Sequence, residues 1–374
     1  MADVLYFSRD TKLYVEIGSD VWELPVLDGF SFSQDSNSTE VTLAEMESSA
    51  GVSRRGRAFF NDSLAPAEWS FSTYVRPFKS AGTGPGAVNT VANSHHAVEE
   101  VLWALMAGDA AYSSSSFTGF TRDTTDLDIS FSDSNKSTLG TANLYFKMGG
   151  TTNPVVYKLS GAVVNEATID FDIDGLATIN WSGFANTVTQ DSAPTPTLTE
   201  DITATDNFIR NRLTQLSITA ADTTTFPGAN SDGVYNLTLT GGSITISNNI
   251  TFITPEELGI VNTPVGHVTG SRTVSGNFTC YLNLDTVANN GTSTDFFNDL
   301  TSSGALGKIT NEFATTFKVG GASGTPRLEL SMDHSHFEIP AHSIDDVISL
   351  ETNFQALPDT ISSTDEVALK YVGA

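Results

Sequence analysis

The chain has 374 residues, 39% hydrophobic and 17% charged, and its 44 acidic against 18 basic residues give a formal net charge of -26. That length has room for two domains, and the charge excludes an open nucleic-acid-binding groove unless a local basic patch supplies one, which the sequence does not show. Tight DNA binding is disfavoured, and the single cysteine, Cys280, excludes an intramolecular disulfide framework and fits a reducing compartment.

In chain order, the opening MADVLYFSRD has no basic segment followed by an apolar stretch, and no window approaches the ~18 apolar residues of a membrane span. The expectation is a soluble, unexported protein with no membrane segment. Leu5, Phe7, Leu13, Val15 and Ile17 recur largely every second residue and are followed by Trp22, Leu24 and Val26, so a first hairpin of half-buried strands is predicted. Strands are also predicted at residues 29–33 (GFSFS) and 67–78 (AEWSFSTYVRPF). The polar stretch between them is longer than most connections inside a compact domain, which marks a loop with a task or a disordered one. Ser94 is predicted to cap a helix through residue 107, with Val98, Val101, Leu102 and Leu105 as its apolar stripe and Gly108 as its stop. His95, His96, Glu99 and Glu100 open that helix, where carboxylates complement the helix dipole without any catalytic role. Strands return at LDISF, ANLYFKM, PVVYKLSGAVV, ATIDFDI and ATINWSGF, and TQDSAPTPTLTED reads as a linker.

The second half repeats this order. Phe317-Lys318-Val319-Gly320-Gly321 echoes Phe146-Lys147-Met148-Gly149-Gly150, and a proline (Pro154, Pro326) and a Leu-Ser pair (Leu159-Ser160, Leu330-Ser331) follow each. SITISNN at residues 243–249 stands where FSFSQD stood, residues 277–282 stand where the Trp69 strand stood, and STDFFNDLTSSGALG falls where a helix is due. The pattern reads as a tandem duplication of mainly β domains, sandwich or barrel, each with a helix and a long inter-strand loop. The boundaries are a first domain at 1–188, a linker at 189–204, a second domain at 205–358 and a C-terminal tail at 359–374. The apolar cluster of that tail (Val367, Leu369, Tyr371, Val372) is expected to dock on a neighbouring molecule.

Chemical motifs are few. Asp170-x-Asp172-x-Asp174-Gly175 opens like a calcium loop, but its twelfth position is Trp181 and its setting reads as strand. His334 and His336 share a strand face near His342 without an evident third metal ligand. No nucleophile elbow, zinc-protease helix or phosphate loop is present, so no enzyme, cofactor or metal is expected. Trp22, Trp69, Trp103 and Trp181 sit at alternating-strand or helix-stripe positions, which predicts burial and argues against an exposed sugar-binding platform.

The ordered set of YVEIGSDVWELP, GFSFSQDSNSTEVTLAEM, WSFSTYV, the helix near residue 100 and IDFDIDGLATINWSGFA resembles the tail tube proteins of long-tailed bacteriophages. The resemblance covers both halves. It implies a structural virion protein of the tail, assembled in the host cytoplasm. Its rings of six domains join inner strands into a continuous β-barrel and stack through the long loops. Two domains per chain would make each ring a homotrimer with pseudo-hexameric symmetry. The partners implied are further copies of the chain, a tape measure protein, other tail proteins, and genomic DNA that passes into the host without tight binding. Repulsion of phosphates calls for an acidic channel wall, for which Asp170, Asp172, Asp174, Asp345 and Asp346 are the candidates. Arg54, Arg55 and Arg57 in the first loop, and Arg272 in the second, are the candidates for contact with the next ring. The alternatives are an adhesive or carbohydrate-binding β-sandwich, a glycoside-cleaving tail enzyme, and a tail terminator or baseplate ring component.

Overall fold

The computed structural model describes residues 6–41, 57–108, 111–113, 116–131, 139–150, 153–200, 207–284, 290–308, 312–321, 324 and 326–373. The first half begins with β1 (Lys12–Ile17), β2 (Asp20–Leu24) and β3 (Ser31–Ser33). The hairpin β4 (Ser36–Glu40) and β5 (Phe59–Leu64) follows, then β6 (Ala67–Tyr74), β7 (Pro77–Lys79), β8 (His95–Ala97) and helix α1 (Glu100–Ala107). Short strands β9 (Tyr112–Ser113), β10 (Ser116–Phe117), β11 (Phe120–Arg122) and β12 (Asp126–Ser130) lead to β13 (Ala142–Met148), the long β14 (Val155–Asp172), β15 (Thr178–Ala185) and β16 (Thr187–Gln190). The second half contains β17 (Gln215–Ala220), β18 (Val234–Asn236), β19 (Leu239–Ser247), β20 (Thr251–Ile253), β21 (Gly266–Val268) and β22 (Thr273–Tyr281). Helices α2 (Ser293–Thr301) and α3 (Ser303–Leu306) precede β23 (Phe313–Val319), β24 (Arg327–Phe337), β25 (Ala341–Ile344), β26 (Ile348–Leu357) and β27 (Ala368–Val372).

The protein is mainly β, as the period-two runs predict, and all its ladders are antiparallel. The same strand partnerships occur in each half. β1–β2, β1–β13, β13–β14, β3–β6, β6–β15 and β14–β15 are matched by β17–β18, β17–β23, β23–β24, β19–β22, β22–β26 and β24–β26. The loop hairpin β4–β5 is matched by β20–β21, and β14–β16 by β24–β27. The halves meet where β14 pairs with β19 from Glu166↔Ser247 to Asp172↔Gly241. Most of their buried side chains form one continuous apolar cluster that includes all four tryptophans, and Tyr14, Val21, Tyr145 and Val156 form a small second one.

Three expectations change. Ser94 does not cap the helix: its hydroxyl donates to Val91 O, and residues 95–97 form a strand. The helix starts at Glu100, ends at Gly108 in the left-handed conformation, and is buried on every side, so no amphipathic stripe exists. The polar opening is likewise interior: Glu100 is held by His96 (3.0 Å) and Arg122 (3.6 Å), and Glu99 accepts from the Tyr371 hydroxyl (2.6 Å). These carboxylates are core hydrogen-bonding groups rather than solvent-facing complements to a dipole.

The second change concerns the C-terminus. Leu369 and Tyr371 are buried in their own chain, where β27 bridges the halves by pairing with β12 on one side and β24 on the other. A strand with both edges filled and both large side chains buried has nothing left for docking on a neighbour. Third, the described part of the segment read as a linker, residues 189–200, lies against the first half. Leu198 N donates to Val21 O (3.0 Å) and the Glu200 carboxylate accepts from Ser80 Oγ and Val88 N. Among the described residues, no helix is long and apolar enough to cross a membrane.

Candidate functional site: a polar sheet face

Strands β3, β6, β15, β14, β19, β22, β26 and β25 lie side by side in that order. Alternation sends one set of side chains to the core and the other set to the opposite face. The inward set is apolar: Phe71, Trp181, Ile169, Ile244, Phe278 and Phe354 are buried. The outward set is almost wholly Ser, Thr, Asn and carboxylate. Across one rung run Ser72, Asn180, Thr168, Thr245, Ser275 and Gln355.

Hydrogen bonds tie this surface together laterally. Ser72 Oγ donates to Asn180 Oδ1 (2.6 Å), Asn180 Nδ2 to Asp170 Oδ2 (2.7 Å), and Thr168 and Thr245 share a bond of 3.0 Å across the junction of the halves. Asn353 Nδ2 donates to Glu338 (2.9 Å) at the far end. Glu68, Glu166, Asp170, Asp172 and Glu351 are the carboxylates of these outward positions, and none of the described outward positions is Lys or Arg. Partial burial raises the pKa of Asp170, the hydrogen bond from Asn180 opposes the rise, and the nearby charge of Asp172 adds to it. The described positions make a hydroxyl-rich, acidic surface with no lysine or arginine among them to grip a phosphate.

A family model for phage tail tube proteins matches residues 69–356, which holds most of these strands. The chain belongs to the phage tail tube family. It is also 29% identical over 383 aligned positions to the tail tube protein pb6 of Escherichia phage T5, a match covering 98% of this chain and 76% of that protein. The tail tube chain is thus a structural component of the virion tail.

The candidate residues fall into separate places on the tail tube chain. Asp170 and Asp172 stand on the polar face, whereas Asp174 sits in the β14–β15 turn, 3.1 Å from Arg212. Asp345 and Asp346 occupy the exposed turn between β25 and β26. These three lie at the rim of the sheet because the strands end before reaching them. Trp181, the twelfth position of the calcium-like string, is a core residue on β15.

Arg54 and Arg55 lie outside the described residues. Arg57 stands on the loop hairpin, bound to Glu40 through two hydrogen bonds and stacked over Phe59. Arg272 is different from the loop contact expected of it. It is largely buried, 3.3 Å from Glu366 and 4.6 Å above the Phe131 ring, where it holds the segment leading to β27. Its charge is used inside the chain.

The residues missed from sequence are Glu68, Glu166, Glu338 and Glu351. A signal for three of them existed, since Glu68, Glu166 and Glu351 stand one position out of phase with the buried Trp69, Ala167 and Leu350. The two long loops also touch one another: Leu64 N donates to Asn262 O (2.8 Å) and Asn262 N to Asp62 O (3.2 Å).

Proposed function

We propose that three tail tube chains close into a ring, that the polar face lines its channel, and that stacked rings form the tube through which DNA reaches the host. The β14–β19 junction carries this reading. Within one chain it joins the outer edge of the first half's sheet to β19 of the second half. The counterpart of β19 in the first half is β3, whose only ladder among the described residues is with β6. The counterpart of the β14 edge is β25, whose only ladder among the described residues is with β26. One open edge therefore lies at each end of the same sheet, and open edges demand a partner. Repeating the internal junction between chains satisfies both and gives a closed head-to-tail ring. The repeated strand partnerships support a duplicated ancestor and hence three chains for six equivalent positions.

The channel reading follows from charge. DNA that must slide should meet neither cations nor exposed apolar patches, and a wall of hydroxyls and carboxylates offers neither. A tape measure protein would occupy the same channel before DNA does. The jointed long loops, with Arg57 on them, would meet the next ring. No catalytic task falls to any of these residues.

The test is the double variant Asp170→Lys with Asp172→Lys. Both side chains are exposed on the polar face, so the fold should survive, and electron microscopy should still show tubes. Such tubes are expected to bind fluorescent double-stranded DNA in a salt-sensitive manner that parent tubes lack. Unchanged DNA behaviour, with tubes intact, would place the face away from the channel.

A further inference from the structure

A second junction between the halves has exposed counterparts at both ends of the chain. Just before β17, Ile209–Asn211 crosses the β14–β15 turn. Ala177 N donates to Ile209 O (2.8 Å), Asn211 N to Gly175 O (3.2 Å), and Leu176 forms an isolated antiparallel bridge with Arg210. Side chains reinforce the crossing. Phe208 packs edge-on against Tyr74 with ring centres 5.3 Å apart, and Arg212 pairs with Asp174 at 3.1 Å. Ile209 is left only 1% exposed.

Each component recurs elsewhere without its partner. A 3-10 turn, Ser8–Asp10, precedes β1 as Asn211–Leu213 precedes β17, and a threonine follows each, so Arg9 matches Arg212 and Phe7 matches Arg210. On the other side, Leu282 N donates to Ile348 O (3.0 Å) as Val75 N donates to Ala177 O (3.0 Å), which makes Ile348 the counterpart of Ala177 and Val347 that of Leu176. Tyr281 matches Tyr74, since each stands opposite the first residues of its ladder partner, Ser349 and Thr178. The β25–β26 turn is two residues shorter than the β14–β15 turn (Ser343 to Ser349 against Asp170 to Thr178), and it still presents Asp345 and Asp346 where the longer one presents Asp174.

Both counterparts are open. Tyr6 and Phe7 are 42% and 54% exposed, and Val347 and Ile344 are 59% and 77% exposed. Among the described residues Arg9 makes no ion pair and only stacks over Phe7. We propose that the segment Tyr6–Asp10 of one chain crosses the β25–β26 turn of a second copy, with Phe7 bridging Val347 and Arg9 pairing with Asp345 or Asp346. The occupant is a second copy because both surfaces belong to this sequence and their counterparts already meet inside it. The rim carboxylates then act as ring clasps. This inference rests on the ring reading above, and it assigns the N-terminal segment and the turn carboxylates to the chain-to-chain seam.

Disulfide trapping separates the two ideas. The sole cysteine, Cys280, is buried, so introduced pairs report cleanly. Phe7→Cys with Val347→Cys tests the clasp, and antiparallel bridges bring such positions within disulfide reach. Ser33→Cys with Ala341→Cys tests the strand edges, being the counterparts of Thr245 and Thr168. The full chain is oxidised and run on non-reducing gels. Covalent ladders ending at three chains with both pairs support the proposal. Trapping by the strand-edge pair alone overturns the clasp and leaves the ring intact, and trapping by neither overturns both. In the clasp pair, Arg9→Asp is expected to reduce the trapped yield by about threefold, the size of an exposed ion pair. Asp345→Arg with Asp346→Arg should restore it; no change with either would remove the ion pair from the seam.

Discussion

The two halves use the same strand partnerships and fill them differently. On the first, Trp69 of β6 lies opposite Gly183 of β15, and on the second the matched positions are Gly276 of β22 and Phe354 of β26. Large and small have changed places across the ladder. In both, the aromatic ring lies over the glycine, where an added Cβ would meet backbone and ring atoms: 2.0 Å from Val163 O at Gly183 and 2.3 Å from Ser243 O at Gly276. The comparison teaches that the sheet requires a fixed volume at this rung and is indifferent to which strand supplies it. The helices show the same freedom. Glu99, just before α1, accepts from Tyr371 of β27, and Asp299 on α2 accepts from Tyr235 of β18 at 2.5 Å. A buried carboxylate and tyrosine recur, drawn from different strands.

The largest expected effect comes from this large-small exchange. Gly183→Val should unfold the chain or cost more than about 4 kcal/mol, since neither a carbonyl nor a packed indole can move away. Gly276→Phe alone should be similarly damaging, and adding Phe354→Gly should recover most of the loss in a denaturant melt. A double variant no more stable than the single one would break the equivalence of the two rungs.

Next come the matched strands β16 and β27. β27 buries Leu369 between two ladder partners, whereas Val188 of β16 is half-buried. Leu369→Ala is expected to cost about 2–5 kcal/mol, and Val188→Ala under about 1 kcal/mol, both read as shifts in thermal midpoint. Equal costs would deny β27 its bridging role.

The two carboxylate-tyrosine pairs respond to pH in the same direction. Complete burial raises the Glu99 pKa from 4.5 to about 7, against opposing hydrogen bonds from Tyr371 and the Arg76 backbone. A carboxyl with a raised folded-state value binds its proton more tightly when folded. Its stability contribution is therefore greatest below pH 4.5 and declines as pH rises to about 7, by on the order of 3 kcal/mol. Glu99→Gln keeps an acceptor for Tyr371 and should flatten this decline, so melts at pH 5 and pH 8 should converge in the variant. Asp299 is also raised, by burial first and by Asp295, and Asp299→Asn should flatten the profile in the same direction. The smallest effect is expected at the internal clasp: Arg212→Ala, between exposed groups, should cost a few tenths of a kcal/mol at most. A loss beyond about 1 kcal/mol would mean the turn crossing holds the halves together more tightly than its exposure suggests.

Much of the site was legible as pattern. Asp170 and Asp172 reach the polar face because ATIDFDI alternates, and the same rule applied to AEWSFSTY would have found Glu68. Asp174 was placed by the same alternation, and Asp345 and Asp346 as second-half counterparts, but strand ends cannot be located from alternation alone. Arg272 was misplaced because an Arg in a polar string reads as exposed, while its partner Glu366 is far away in the chain.

By itself, the sequence determined the β class, the burial of the four tryptophans and the phase of the polar face, because the twofold alternation of side chains is a local property of extended backbone. Only the tertiary structure decided that β14 takes β19, that β27 bridges the halves, and that β3 and β25 each have a single ladder among the described residues. Those choices are made by backbone hydrogen bonds between segments far apart in the chain, and such bonds are chemically alike in every strand.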